Sequence, residues 1–279
     1  MKLTEKIHLL KIDFEIEISP DKKLSRFVNV IIVFGDKITL IDSGVKGSEE
    51  KILQYIEEQN RDFAEIDTLI LSHSHPDHIG SAAIIKELTG CKVLAHEAEK
   101  EWIENIEIQS KQRPVPGFFN LVDRSVEIDG FISGGQELTI EDGLTLKFIH
   151  SPGHSKGSLN IEFMEDQILF AADSIPLKND IPNYDNFHDL MNSLDQISNA
   201  EFTTLLSSWT PPLNDKNEIC QLIEEGKIYM QTIDSVVRDC YGDGNTSNPE
   251  SCKMAVNKLG LPPFLANPIV NKAFRSHLN

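Results

Sequence analysis

The sequence predicts an α/β fold followed by a helical C-terminal region, and three observations carry that prediction. An apolar run, Ile66-Asp67-Thr68-Leu69-Ile70-Leu71-Ser72, reads as a buried strand and leads through a short polar loop into residues 79–88, whose apolar positions recur at helical spacing. Further apolar runs, punctuated by Gly35-Asp36 and Glu165-Asp166, read as hairpins on either side of it. Beyond Pro212 the pattern changes to amphipathic helices with no strand among them.

Taken in order, Ile7 to Ile18 alternates in part, with Ile12, Phe14, Ile16 and Ile18 set against Asp13, Glu15 and Glu17, as a half-buried strand does. Asn29 to Phe34 and Lys37 to Ile41 form a hairpin. Ser48 is placed to cap a helix running from Glu49 to Gln59. After the central strand, loop and helix, Gly90 stops the helix, and Cys91 to His96 is a strand with His96 as its polar end. Glu97 to Ile106 suggests a helix. Residues 109–135 contain Pro114, Pro116, Gly117, Gly130, Gly134 and Gly135 and read mostly as loop, long enough to cover a site. Within it Phe118 and Phe119 either line an apolar pocket or pack inward to anchor the loop. Thr145 to Ile149 is a strand, followed by a structural His150, and Leu159 to Met164 with Gln167 to Ala172 is a second hairpin. Residues 176–189 are irregular, 190–200 helical, and 203–207 a last strand. Helices follow over 217–241, 250–259 and 268–278, with Gly242-Asp243-Gly244-Asn245 as a break. The expected organisation is a main domain over 1–212 and a helical extension over 213–279, packed on the core, where it covers the site or makes a homodimer contact.

Composition narrows the partners. Twenty-six basic against 44 acidic residues give a formal charge of −18. Such a surface repels phosphate backbones and anionic lipid, so neither nucleic acid nor a membrane is the expected partner, and a small-molecule substrate is. Residues 1–25 lack the basic start and apolar stretch of a signal peptide, and a cytoplasmic location is expected. Cys91, Cys220, Cys240 and Cys252 show no C-x-x-C pairing and read as free, small buried hydrophobes.

The chemistry concentrates in His73-Ser74-His75-Pro76-Asp77-His78, at the carboxyl end of the central strand. His73 and His75 alternate by two, so in extended backbone their imidazoles point the same way and can share one metal. Pro76 ends the extended run, and Asp77 and His78 turn toward a second, adjacent point. The spacing offers two pairs of ligands for a divalent metal.

This motif resembles the H-x-H-x-D-H signature of the metallo-β-lactamase fold superfamily. Leu40-Ile41-Asp42-Ser43-Gly44, Ser151-Pro152-Gly153-His154-Ser155-Lys156-Gly157-Ser158 and Leu169-Phe170-Ala171-Ala172-Asp173 resemble its other motifs, in the family's order, over about residues 28–210. The resemblance implies a four-layer αβ/βα sandwich. It also implies a first metal site of His73, His75 and His154, a second of Asp77 and His78, and Asp173 bridging both. One or two zinc ions are the implied cofactor, with iron or manganese as alternatives.

One position departs from the family. A further histidine is expected after the strand that follows the bridging aspartate, and the corresponding stretch here is Leu206-Ser207-Ser208-Trp209-Thr210-Pro211. Trp209 falls at or near the missing ligand, and an indole cannot ligate a metal. Three readings follow: a weak second metal completed by water, a one-metal site with Asp77 as general base, or His188 reaching in from its loop. Trp209 itself either walls the pocket, stacks on substrate or fills the space of the lost imidazole. The resemblance points to a metal-dependent hydrolase acting on an ester, thioester or lactone, with Tyr184 a weak candidate for contacting the leaving group or oxyanion. The alternatives are a mononuclear iron dioxygenase and a non-catalytic metal-bound binding or sensing module.

Overall fold

The computed structural model describes residues 1–19, 22–242 and 249–278. Its first sheet opens with a long antiparallel ribbon, β1 (Ile7–Ser19) and β2 (Lys22–Phe34), in which Ile7 lies opposite Val33 and Phe14 opposite Arg26. β3 (Ile38–Ile41) pairs antiparallel with β2, and β4 (Ile66–Ile70), β5 (Lys92–Ala95) and β6 (Gly130–Phe131) continue in parallel, giving the order β1-β2-β3-β4-β5-β6. The second sheet contains β7 (Glu137–Glu141), β8 (Leu144–His150), β9 (Leu159–Phe163), β10 (Ile168–Phe170) and β11 (Thr204–Leu206) in the order β11-β10-β9-β8-β7. The helices are α1 (Ser48–Glu58), α2 (Pro76–Ile79), α3 (Ala82–Thr89), α4 (Lys100–Glu104), α5 (Ile106–Gln112), α6 (Phe118–Leu121), α7 (Phe187–Asn199), α8 (Lys216–Tyr241), α9 (Pro249–Lys258) and α10 (Pro268–Arg275).

Three apolar clusters define four layers. Ile7, Leu9, Ile31, Val33 and Ile70 of the first sheet meet Leu146, Phe148, Ile161 and Phe170 of the second, so the sheets pack face to face. The alternate side chains of the first sheet, among them Leu10, Ile12, Val30 and Ile32, pack against Ile52 and Ile56 of α1 and Ile85 of α3. The outer face of the second sheet, through Leu169 and Leu205, packs against Leu190 and Leu194 of α7 and Ile223, Met230 and Ile233 of α8. Burial on both faces explains why Asn29 to Phe34 is nearly all apolar rather than alternating. The layering is the expected αβ/βα sandwich, and α8, α9 and α10 share the outer cluster with the second sheet.

Several local expectations change. Ser48 is not a cap: Gly47 holds the cap position with φ 88°, and Ser48 is the first helical residue. The orphan N–H groups of Ser48 and Glu49 instead reach Ser81 Oγ at 3.1 and 3.3 Å, from another segment. β2 begins at Lys22, seven residues before the expected start, because the ribbon overhangs the sheet and its polar alternates stay in solvent. β7 carries glutamates at both ends and pairs with β8 alone, an edge position that its mixed sequence did not announce. α5 occupies the start of the expected long loop. Phe118 packs inward, whereas Phe119 is exposed, and neither lines the cavity that Asp77, His154 and Asp173 face. Cys91 and Cys252 are buried, but Cys220 is exposed and Cys240 half-buried, so the buried-hydrophobe reading holds for two of the four. α8 ends at Tyr241 with Gly242 as its C-cap; Asp243, Gly244 and Asn245 lie outside the described residues. No helix among the described residues is long and apolar enough to cross a membrane.

Candidate metal centre

β4 ends at Ile70, yet its path continues: Leu71 N donates to Leu94 O at 2.9 Å and Asp42 N to Ile70 O at 2.8 Å. After a bend at Ser72 the chain runs through His73 to an extended His75 (φ −64°, ψ 151°), and the two rings come together with centroids 4.6 Å apart. Pro76 takes the first position of α2, where its missing N–H costs nothing, and that single turn redirects Asp77 and His78. His154 arrives on the turn between β8 and β9. There Gly153 adopts φ 126°, and a Cβ on it would lie 2.2 Å from Leu190 N. Asp173 follows β10 directly after Ala172, a non-glycine residue at φ 42°. Asp42, at φ 63°, is a second such residue beside the site.

These loops gather two donor groups. One ligand atom from each of His73, His75, His154 and Asp173 lies within 4.8 Å of the others, and the same holds for Asp77, His78 and Asp173. Asp173 divides its oxygens between them. Oδ2 lies 3.2 Å from His154 Nε2 and 3.8 Å from His73 Nε2, while Oδ1 lies 3.3 Å from His78 Nε2. His78 Nε2 is also 3.6 Å from Asp77 Oδ2.

The surrounding hydrogen bonds select the imidazole tautomers. Asp42 accepts from Ser72 N at 2.7 Å, from Ser72 Oγ at 2.8 Å and from His78 Nδ1 at 2.8 Å. With its proton given to Asp42, Ser72 Oγ is left to accept from His73 Nδ1, 3.0 Å away. Both Nδ1 atoms thus carry protons, which leaves the Nε2 lone pairs as the ones available to a metal. Those lone pairs have no protein partner: His73 Nε2, His78 Nε2, Asp77 Oδ2 and Asp173 Oδ1 are buried without a hydrogen bond. Converging orphaned acceptors on neutral imidazoles and carboxylates are the donor set of a divalent cation, so the residues present fit a metal.

Glu99 holds the two ligand loops together. This buried carboxylate accepts from Ser74 N at 3.0 Å, from Ser155 Oγ at 2.8 Å, and from Ser74 Oγ and Gly157 N. Ser74 sits between His73 and His75, and Ser155 follows His154. Gln109 adds a bond from Nε2 to Ser74 O at 2.6 Å. The sequence offers no signal for Glu99, an ordinary-looking acid in a helical stretch. Asp42 stands in a quoted motif, though its work is visible only in three dimensions.

Burial sets the electrostatics. Removal from water pushes His73 and His75 well below the ordinary histidine pKa, with the charge of His78 adding to the first and that of Arg113 to the second. Burial would lower His78 too, but Asp173, Asp42 and Asp77 more than reverse it and hold its pKa well above the ordinary value, so a metal bound there would have to displace a proton from its Nε2. Burial also raises Asp77, whereas the imidazoles of His78 and His154 overcome the same effect at Asp173 and hold it well below the carboxylate range.

The other sequence candidates lie outside the donor groups. Tyr184 is buried and lines the cavity beside the donor groups, but it belongs to neither of them, and its hydroxyl is 2.7 Å from His277 Nε2 of the helical extension. His188 is exposed on α7 and belongs to neither donor group, which removes the reading in which it completes the second site. Trp209 lines the cavity beside Asp77, His154 and Asp173, with the Arg26 guanidinium 4.8 Å from its ring centroid. Its neighbour Ser208 donates its N–H to Ala172 O at 3.0 Å, and Ser208 Oγ is another buried, unpartnered atom. His96 is the polar strand end expected of it, accepting from Ala98 N at 3.2 Å, and its ring stacks on that of His150.

A layered αβ/βα sandwich with histidine and aspartate donors on its loop edge defines a class of metal-binding proteins, and the wider comparisons agree. The profile of the metallo-beta-lactamase superfamily matches residues 25–215, and the chain belongs to that family. A hydroxyacylglutathione hydrolase of Haemophilus influenzae is 27% identical over 148 residues, 52% of this chain and 65% of the relative. A beta-lactamase-like protein 2 homolog of Caenorhabditis elegans is 27% identical over 64% of this chain and 54% of its own length. The chain thus spans less than two thirds of these relatives. Among solved structures, a metallo-beta-lactamase family protein of Thermus thermophilus superposes with TM-score 0.76 at 19% identity, covering 99% of this chain and 94% of its own. The subclass B3 metallo-beta-lactamase BJP-1 of Bradyrhizobium japonicum gives 0.61 at 19% identity over 76% and 88%. At those identities the likeness is one of fold.

Proposed function

We propose that this chain is a metal-dependent hydrolase of a small ester, thioester or lactone. The observation that carries the reading is the division of Asp173 between two donor groups, with the Nε2 lone pairs of His73 and His78 left free. His73, His75, His154 and Asp173 would hold a first metal, and Asp77, His78 and Asp173 a weaker second one. A zinc ion held there supplies Lewis acidity and activates water at neutral pH.

The chain's own residues do the rest. Asp42 and Ser72 hold His78 and His73 in the tautomer that presents Nε2, and Glu99 fixes the relative position of the two histidine loops. Asp77 and Asp173 line the cavity; when only the first metal is held, Asp77 would take the proton released as water adds to an acyl carbon. The acyl–oxygen or acyl–sulfur bond breaks, and the leaving group departs as an alcohol or thiol with that proton. Apolar walls keep bulk water from the acyl group. Hydroxyacylglutathione hydrolases among the relatives support a thioester as the first substrate to try.

The test is a panel of thioesters, esters and lactones offered to protein of known metal content. Cleavage abolished by chelation and restored by zinc is expected. A protein that contains metal and cleaves none of the panel, or that consumes oxygen with bound iron, overturns the reading.

A further inference from the structure

The cavity beside the donor groups has a volume of about 280 Å³. Phe14, Ile16 and Leu24 of the β1–β2 ribbon form one apolar wall, and Phe264, Leu265 and Val270 of the C-terminal region form another. Two guanidinium groups also line it, and their surroundings differ. Arg26 donates through Nη2 to both oxygens of Asp180, at 2.9 and 2.8 Å, and is neutralised. Arg113 is only 6% exposed, at the C-terminal end of α5, and its guanidinium donates to a single neutral partner, Asn183 Oδ1. Among the described residues no carboxylate forms an ion pair with it.

The acids that act on Arg113 from a distance are paired elsewhere or belong to the groups that would hold a metal. Asp185 is paired with Lys272, Asp77 and Asp173 belong to the donor groups, and Glu99 is saturated by Ser74, Ser155 and Gly157. A guanidinium stays protonated in proteins, and burying one without a counter-ion is unfavourable. Its planar fork matches a carboxylate, and most of its donors remain uncommitted. One buried cation balances one negative charge, which favours a carboxylate over a doubly charged phosphate ester.

We infer that the substrate is an amphipathic carboxylate whose apolar body fills this cavity and whose free carboxylate is held by Arg113. The inference rests on the hydrolase reading for its reaction but not for its binding site. Arg113 is therefore a specificity-determining residue: it selects anionic, apolar acyl compounds from neutral ones.

The experiment is calorimetric titration of the metal-loaded full chain with octanoate and with octanamide, which share an apolar tail and differ in charge. The wild type is expected to bind octanoate at least about tenfold more tightly, since a charge-assisted bond is at stake. Arg113→Gln should reduce the preference to roughly twofold or less, and Arg113→Lys should retain part of it, because it keeps the charge and loses the fork. Metal content measured on each variant shows whether the donor groups are intact. Equal binding of both ligands by the wild type overturns the inference without any mutation. So does an octanoate preference unchanged in Arg113→Gln, which would place the carboxylate on the metal. An Arg113-dependent preference in a protein that cleaves no ester or thioester would instead sink the hydrolase reading and leave the carboxylate subsite standing.

Discussion

Glu99→Gln tests whether one buried carboxylate sets the spacing of the ligand loops. The substitution keeps the shape but replaces an acceptor-only group with an amide carrying two N–H donors. Glu99 now serves two backbone N–H groups, of Ser74 and Gly157, and two serine hydroxyls. The hydroxyls can rotate, whereas the backbone donors cannot, so one of those N–H groups must face the new NH2. An orphaned buried donor costs about 1–3 kcal/mol, and losing the charge on the remaining bonds adds about 1 kcal/mol. The sum, about 3 kcal/mol, corresponds to a fall in Tm of roughly 6–12 °C for a chain of this size. Ser74 separates His73 from His75 and Ser155 adjoins His154, so metal affinity should fall by about 10–100-fold, the usual effect of removing an outer-shell partner. Thermal unfolding and competition with a chelator, followed by elemental mass spectrometry, read both numbers. A variant that melts within about 2 °C of wild type and keeps its metal affinity would refute the assignment.

Other expectations follow from the same geometry. Asp173→Asn removes the charge that both donor groups share, and should lower bound metal more than Glu99→Gln does; equal retention would refute the bridging role. Trp209→His should add a second tightly held metal by giving the Asp77–His78–Asp173 group a further donor, and stoichiometry that does not rise would show that Trp209 is not at the missing ligand position. Gly153→Ala forces a Cβ to within 2.4 Å of Leu190 Cα and should cost about 3 kcal/mol or more in denaturant unfolding, with loss of metal through His154. His277 is buried, and burial lowers its pKa from the ordinary 6.5 to about 4 despite Asp234. The unfolded chain therefore binds the extra proton first. The stability from a neutral His277 is present above pH 6.5 and is lost as pH falls toward about 4, by up to about 3 kcal/mol. Unfolding free energies at pH 7 and pH 4.5 should differ less in His277→Gln than in wild type.

The sequence by itself determined the α/β class and the cluster of His73, His75, Asp77 and His78 at a strand end, because both depend on short-range patterns; the layering and the roles of His154 and Asp173 followed only from the family resemblance. Period-2 and period-3.6 apolar spacing decides strand against helix, and the alternation of His73 with His75 needs only the geometry of an extended backbone. The edges of the strands that were read were legible to within a few residues, except at the overhanging start of β2, whereas β6, inside the expected loop, and the edge strand β7 were not read as strands. What tertiary structure alone decided is the environment of those donors. Asp42 and Ser72 choose the tautomers of His78 and His73 from 30 residues or more away along the chain in the case of Asp42. Glu99 ties Ser74 to Ser155 across a sequence separation of more than 50 residues. Arg113 is a buried cation without an ion-pair partner only because the fold pairs Asp185 with Lys272, saturates Glu99 and aims Asp77 and Asp173 into the donor groups. None of this leaves a local signature, since a hydrogen-bond partner is fixed by where the fold brings two segments together and not by which residues adjoin it in the chain.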